Sequence, residues 1–231
     1  MDIFKEQQNL YKKMFVRWLL GLLAVLALVI VFTDLVEDVW FREGFTWDKP
    51  VILAIHQLSN PNLDAIMRVV TQIGEAGAIA VVILAATWFA WKHRFVDAFA
   101  IIVSFGGAEA LNTILKLLLS RPRPAFFPPL VVESGFSFPS GHVTASIAVF
   151  GFLSVLLWRA RRYGWSVLLG VLIPIVAISR IYLGVHYPSD TLGSLTFGTL
   201  WLIVVFSVRD KYLRDNVGIT PLTSSQVVKN P

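Results

Sequence analysis

Uncharged or nearly uncharged stretches of bilayer length recur along this 231-residue chain. Only the third contains charged residues, Glu109 and Lys116. A helix needs roughly 20 apolar residues to span a membrane, and fewer where flanking side chains reach the interface. The pattern therefore predicts an all-α, polytopic membrane protein with six transmembrane helices, at residues 18–33, 76–91, 98–119, 143–158, 163–179 and 191–208.

The six predicted helices form a single domain, residues 1–208, without an internal repeat or linker. The first run resembles a signal peptide, but no small-residue cleavage site follows it, so we interpret it as an uncleaved anchor. Residues 34–68 form an outer segment that becomes amphipathic, and we expect a short surface helix there rather than a substrate contact. From Arg209 the chain turns polar, which predicts a loosely ordered cytoplasmic tail over 209–231.

Composition agrees with a membrane protein, since 56% of the residues are hydrophobic and 15% are charged, with a mean hydropathy of +0.68. Soluble domains usually contain about 25% charged residues. The chain has no cysteine, which excludes disulfides and thiolate chemistry.

Basic residues predict the orientation in the membrane. They are concentrated before the first helix, after the second, after the fourth and after the sixth: Lys5, Lys12, Lys13, Arg17, residues 92–94 and 159–162, Arg209, Lys211 and Arg214. Alternating helices put these four places on one side, which the positive-inside rule makes cytoplasmic, together with both termini. The formal net charge of +5 mostly reflects this topology, and we expect no nucleic-acid partner.

The polar motifs "LKLLLSRPRPAFFPP", "FPSGH" and "SRIYLGVHYPSD" all fall on the opposite, outer side. They bring three cations, Lys116, Arg123 and Arg180, to the outer ends of the third and fifth helices. Each cation alone is compatible with an interfacial anchor that marks a helix end. Lys116 is predicted about two turns inside its helix, where a cation needs an anionic partner, and Glu109 is one candidate for it.

The starts of the fourth and sixth helices add further positive potential. Pro139 and Pro188 suit the first turn of a helix, where free N–H groups and the helix dipole favour phosphate. Gly141 lets the backbone approach an anion closely, and Ser140 contributes a hydroxyl group. Three cations, two helix starts and one hydroxyl together predict a phosphate-binding site.

Two of the four histidines, His142 and His186, lie in these motifs. Asp190 follows His186 by four residues, so one helical turn brings a carboxylate to the imidazole. A carboxylate that holds one ring nitrogen leaves the other free to attack, while the second histidine donates a proton to the departing oxygen. A metal site is the alternative use of these groups, but a single carboxylate among three cations disfavours a divalent metal.

The motifs "KLLLSRPRP" (116–124), "PSGH" (139–142) and "SRIYLGVHYPSD" (179–190) resemble, in order, the three signature motifs of the type 2 phosphatidic acid phosphatase superfamily. Every defining position of the three is filled. Chain size and the short outer segment resemble the bacterial phosphatidylglycerophosphatase B group, which includes undecaprenyl pyrophosphate phosphatases.

The resemblance implies a role for each motif residue. His186 is similar to the family's nucleophile, Asp190 to the residue that orients it, and His142 to the acid that protonates the leaving oxygen. Family members act without a metal or other cofactor. The positions similar to the family's phosphate-binding residues are Lys116, Arg123, Ser140, Gly141 and Arg180.

The expectation is a metal-independent lipid phosphatase that removes a terminal phosphate through a phosphohistidine intermediate. Phosphatidylglycerophosphate, phosphatidate and undecaprenyl pyrophosphate are the substrates that the resemblance implies, and the expected partners are this lipid and the bilayer. We expect the protein in the bacterial cytoplasmic membrane with its active site facing the periplasm or exterior. A transporter or channel, and a non-catalytic protein that binds lipid phosphate, are the alternatives from other classes.

Overall fold

The structure is a computed structural model that describes the backbone of residues 2–217 and the side chains of residues 11–216. Over that part of the chain it is all-helical. Six helices are long and apolar enough to cross a membrane, which confirms the predicted fold class, and α2 is the short exception. The helices are α1 (Asp2–Trp40), α2 (Asp48–His56), α3 (Pro61–Trp91), α4 (Phe95–Leu119), α5 (Gly141–Arg159), α6 (Tyr163–Tyr182) and α7 (Pro188–Val217).

The second spanning helix, α3, begins earlier than the hydrophobic pattern indicated. The side chain of Asn60 caps it by accepting a hydrogen bond from the amide of Leu63 at 3.1 Å, and Pro61 occupies its first turn. The segment predicted over 34–68 is therefore shorter, because α1 ends at Trp40 and α3 begins at Pro61, and the short helix expected within it is α2. Polar side chains in the first half of α3, such as Thr71, are buried inside the protein, so a hydropathy pattern underestimates this span.

The last helix also extends beyond its predicted end. Arg209 pairs with Asp97 on α4, and Asp210 pairs with Arg159 on α5 at 2.8 Å. These ion pairs keep the start of the predicted polar tail, 209–231, in helical conformation against its neighbours. The remainder of that tail lies outside the described residues.

A buried apolar core fills the space between α3, α4, α5, α6 and α7. Helix α1 packs along α7 and exposes large apolar side chains such as Trp18, Leu20 and Leu22. An exposed apolar surface of this extent is expected where a protein contacts lipid. Helices α3 and α5 each contain a short π-helical segment, Ile73–Gly77 and Ile147–Gly151, and such segments frequently occur at functional sites.

Candidate active site

The motif residues of four helices meet at one end of the bundle. They come from the end of α4, the start of α5, the end of α6 and the start of α7. The turn between α6 and α7 requires Gly184, whose φ is +78° and at which an added Cβ would lie 2.5 Å from the ring of Phe127. This turn places His186 inside the protein, where it is only 1% exposed.

The two ring nitrogens of His186 have different partners. Nδ1 lies 3.4 Å from Oδ2 of Asp190, and Nε2 lies 3.4 Å from Nη1 of Arg123. A guanidinium group only donates, so Nε2 faces it as a lone pair and the proton belongs on Nδ1. Burial, followed by the positive charge of Arg180, lowers the pKa of His186 well below its usual value. The site therefore holds a neutral imidazole with an unprotonated Nε2.

Asp190 is fully buried and is held on its other side by Arg121, a residue that the sequence analysis missed. Nη1 of Arg121 donates to Oδ1 of Asp190 at 2.5 Å, and the amide of Tyr187 donates to Oδ2 at 2.9 Å. Arg121 is the first arginine of "SRPRP", and the family motif drew attention to the second. The repeated Arg-Pro pattern was the one sequence feature that could have pointed to Arg121.

Asp48, on α2, connects the outer segment to this network. It is buried and accepts from the amide and hydroxyl of Ser189, at 2.9 and 2.5 Å, and from Nη2 of Arg121 at 2.8 Å. A carboxylate at the first turn of α7 satisfies free N–H groups and interacts favourably with the helix dipole. The outer segment thus helps to position the site residues.

Glu133, in the loop between α4 and α5, lies where the predicted phosphate-binding side chains converge. Its carboxylate pairs with Arg180 and with Arg123, the latter at 3.4 Å, and lies 4.0 Å from Nε2 of His142. Burial alone would raise the pKa of the Glu133 carboxyl, but the charge and hydrogen bond of Arg180 hold it below its usual value. No motif or pattern in the sequence pointed to Glu133.

Lys116 lies one turn before Leu119, where α4 ends, and not two turns as predicted. Its Nζ donates to the carbonyl of Phe136 at 2.6 Å, in the loop that leads to α5. Glu109 was one candidate for its partner, but in the part of the chain with described side chains no ion pair joins the two within 4.0 Å. The carbonyl of Phe136 and the charged groups of the site therefore stabilise the Lys116 ammonium group instead of one paired carboxylate.

Ser140 and Gly141 form the start of α5 as expected. The hydroxyl of Ser140 is buried and, among residues 11–216, has no hydrogen-bond partner, so it is available to a ligand. A Cβ added at Gly141 would meet only Oδ1 of Asn112, at an ordinary 3.7 Å. The protein's own packing therefore does not require glycine here, and its predicted role in admitting phosphate remains a prediction.

His142 faces two carboxylates that the sequence analysis did not anticipate. Its Nε2 lies 3.3 Å from Oε2 of Glu75, in the π-helical segment of α3, and 4.0 Å from Glu133. The expectation that Asp190 is the single anion of the site was therefore wrong. Across the residues with described side chains, no group of three or more His, Asp or Glu side chains could hold a metal ion.

The fold and this site define a class, the integral membrane phosphatases. Residues 97–214 match the model of the PAP2 superfamily, and the chain belongs to that superfamily. Phosphatidylglycerophosphatase B of Bacillus subtilis is 31% identical over 175 residues, which cover 72% of this chain and 85% of that protein. Undecaprenyl-diphosphatase BcrC of the same organism is 32% identical over 168 residues, which cover 69% and 83%.

A solved structure shares the fold. The crystal structure of a transmembrane PAP2-type phosphatidylglycerolphosphate phosphatase from Bacillus subtilis aligns with a TM-score of 0.73 and 29% identity, covering 81% of this chain and 96% of that one. The predicted family, all-α membrane fold and hydrolase class are confirmed.

Proposed function

We propose that this protein removes the terminal phosphate of a membrane lipid through a phosphohistidine on His186. One observation carries the proposal: Nε2 of the buried His186 lies 3.4 Å from Nη1 of Arg123, a group that can only donate, so a lone pair of Nε2 faces the guanidinium group. Arg123 and Arg180 both bind the carboxylate of Glu133, an anion that stands where phosphate oxygens would bind. A nucleophile beside an anion site suits phosphoryl transfer.

In the first step, Nε2 of His186 attacks phosphorus, an N–P bond forms and the P–O bond to the lipid breaks. The leaving oxygen takes the proton of His142. Arg123, Arg180 and Lys116 stabilise the charge on the equatorial oxygens. The phosphate displaces the Glu133 carboxylate from the two arginines. Asp190 stabilises the positive charge that develops on the attacking imidazole.

In the second step, water attacks the phosphorus of the phosphohistidine. His142, now neutral, accepts a proton from this water, and the N–P bond breaks. Inorganic phosphate leaves, and both histidines return to their starting protonation states. No step requires a metal, because side chains supply the positive charge that phosphate needs.

We further propose that the site faces the outside of a bacterial cytoplasmic membrane and that both termini are cytoplasmic. The basic loops at the opposite end of the bundle support this orientation. The substrates that fit the proposal are phosphatidylglycerophosphate, phosphatidate and undecaprenyl pyrophosphate.

The test is phosphate release by the purified, detergent-solubilised protein from these three lipids, with excess EDTA present. We expect release in EDTA from at least one lipid, and acid-labile radioactive label on the protein when the terminal phosphate is labelled. His186→Ala should abolish both, while His93→Ala, in the loop at the opposite end of the bundle, should retain both. Absence of release from all three lipids overturns the proposal. Loss in EDTA that magnesium restores overturns its metal-free mechanism.

A further inference from the structure

A small cavity of about 160 Å³ lies beside His142, between α3, α4 and α5. Ile79 and Phe105 give it apolar walls, while Glu75 and Glu109 supply carboxylates. Pockets for drug-sized ligands usually measure about 300 Å³ or more, so this cavity fits part of a headgroup rather than an acyl chain.

The two carboxylates of the cavity have acceptor capacity left beyond the protein's own contacts. Glu75 is half exposed and touches Nε2 of His142 at 3.3 Å. Oε1 of Glu109 is buried and, among the side chains that the structure describes, lacks a hydrogen-bond partner. Both groups are therefore available to whatever occupies the cavity.

The position of His142 indicates which part of a substrate reaches this cavity. Its Nε2 contacts Glu75 on one side and lies 4.0 Å from Glu133 on the other. The Glu133 carboxylate, bound by Arg123 and Arg180, marks the phosphate position. The oxygen that His142 protonates is the leaving oxygen, so the atoms attached to that oxygen lie beside Glu75.

The backbone that carries Glu75 is closely packed. A Cβ added at the preceding residue, Gly74, would lie 2.7 Å from Cγ1 of Val176 and 2.9 Å from the carbonyl oxygen of His142. The π-helical segment of α3 therefore lies directly against α5 and α6. This packing fixes the direction from which Glu75 approaches His142.

We propose that Glu75, assisted by Glu109, selects the leaving group, and that the preferred substrates are lipid phosphomonoesters whose leaving alcohol carries a second hydroxyl group. The inference rests on the proposed function. An ionised carboxylate only accepts hydrogen bonds, so a neighbouring hydroxyl satisfies it. A diphosphate leaves as a phosphorylated lipid, whose charge lies directly at the leaving oxygen, beside the Glu75 carboxylate, and is repelled. The phosphodiester charge of phosphatidylglycerol lies farther along the leaving group.

This chemistry predicts the order of kcat/KM for three substrates. Phosphatidylglycerophosphate, whose leaving glycerol carries a hydroxyl next to the ester oxygen, should be best. Phosphatidate, whose leaving diacylglycerol has no free hydroxyl beyond the ester oxygen, should follow. Farnesyl diphosphate, whose leaving group is itself a phosphate ester, should be poorest.

The test compares kcat/KM of the wild type, Glu75→Gln and Glu37→Gln on these three substrates in the same mixed micelles. Glu37 is an exposed carboxylate near the end of α1, so its variant controls for the loss of one charge. Glu75→Gln should raise kcat/KM on farnesyl diphosphate relative to phosphatidate by about tenfold, as expected for removal of a like charge at contact distance. It should lower the preference for phosphatidylglycerophosphate over phosphatidate, and Glu37→Gln should leave both ratios unchanged.

The outcomes separate this inference from the proposed function. If the wild type releases phosphate from none of the three substrates, the proposed phosphatase function itself is wrong. A wild type that hydrolyses them but shows the same ratios as Glu75→Gln, or a variant that slows all three equally, overturns selection by Glu75. Glu109→Gln gives a second measurement if Glu75→Gln does not fold, and it should change both ratios in the same direction.

Discussion

Nδ1 of His186 lies 3.4 Å from Oδ2 of Asp190, although the two side chains belong to a turn and to the helix that follows it. A turn does not by itself hold a side chain in place as firmly as a helix does. The distance is maintained because Asp190 is anchored from outside the pair, by Arg121 and by the amide of Tyr187. The orientation of the proposed nucleophile therefore depends on residues that hold Asp190 rather than His186 itself.

His186 should remain neutral under mildly acidic conditions. Its pKa is lowered by burial and by neighbouring cations, so the neutral form persists as pH falls below about 6.5, the usual value for histidine. Nitrogen-15 NMR of histidine-labelled protein, with His186→Ala to assign the signal, should show the neutral tautomer with its proton on Nδ1 at pH 6. With four histidines in the chain, the spectrum is tractable. A protonated His186 at that pH contradicts the nucleophile as described.

Removal of Arg121 should impair turnover more than binding. Arg121→Ala leaves the buried carboxylates of Asp48 and Asp190 without their cation, so kcat should fall by about a hundredfold. The affinity for orthovanadate, a phosphate mimic, should change by less than about threefold, whereas Arg123→Ala should weaken it strongly. Arg161→Ala, an exposed arginine of the basic loop, is the control. Equal loss of vanadate affinity in the Arg121 and Arg123 variants would show that Arg121 binds phosphate directly.

The effect of removing His142 should depend on the leaving group. General-acid catalysis is typically worth about a hundred- to ten-thousand-fold, and a lipid alkoxide needs the proton. His142→Ala should therefore lose most of that factor on phosphatidate. The p-nitrophenolate ion leaves without help, so the first half-reaction on p-nitrophenyl phosphate should be much less impaired.

The same variant should accumulate phosphohistidine, because His142 also activates water in the second step. A rapid-quench burst of p-nitrophenol, together with acid-labile label on the protein, measures both effects. Equal loss of burst rate in His142→Ala and His186→Ala, with no trapped label, means that the two histidines have been assigned wrongly.

Cysteine labelling should reveal the orientation of the site, since the chain has no native cysteine. Ala125, exposed in the loop between α4 and α5, and Ala160, exposed between α5 and α6, lie at opposite ends of the bundle. With Ala125→Cys, an impermeant maleimide should react in intact spheroplasts. With Ala160→Cys, it should react only after the membrane is opened. The reverse pattern contradicts both the topology and the proposed localisation.

The sequence predicted the parts of the structure that follow from local pattern. Six apolar runs gave the spanning helices, and alternation correctly brought the three motifs to one end of the bundle. His186 and Asp190 were paired from their spacing alone, and the structure places them together. Helix ends were less accurate, because Thr71 and Asp97 are polar residues that α3 and α4 bury inside the membrane-spanning region.

The residues that sequence reasoning missed are those whose importance depends on distant contacts. Glu75 reaches His142 from another helix, and Asp48 reaches Ser189 across 141 positions. A single carboxylate in an amphipathic segment has the same local pattern whether it faces water or a buried arginine. Such residues are found only once the packing of the helices is known.

The contacts of Asp48 have a consequence for how the enzyme matures. The N-terminal part of the chain is synthesised first, yet the partners of Asp48, an amide and a hydroxyl of Ser189, lie 141 residues further along. Until α7 has entered the membrane, its carboxylate and that of Asp190 cannot share Arg121. The network around Arg121 and His186 is therefore complete only when the last helix has joined the bundle.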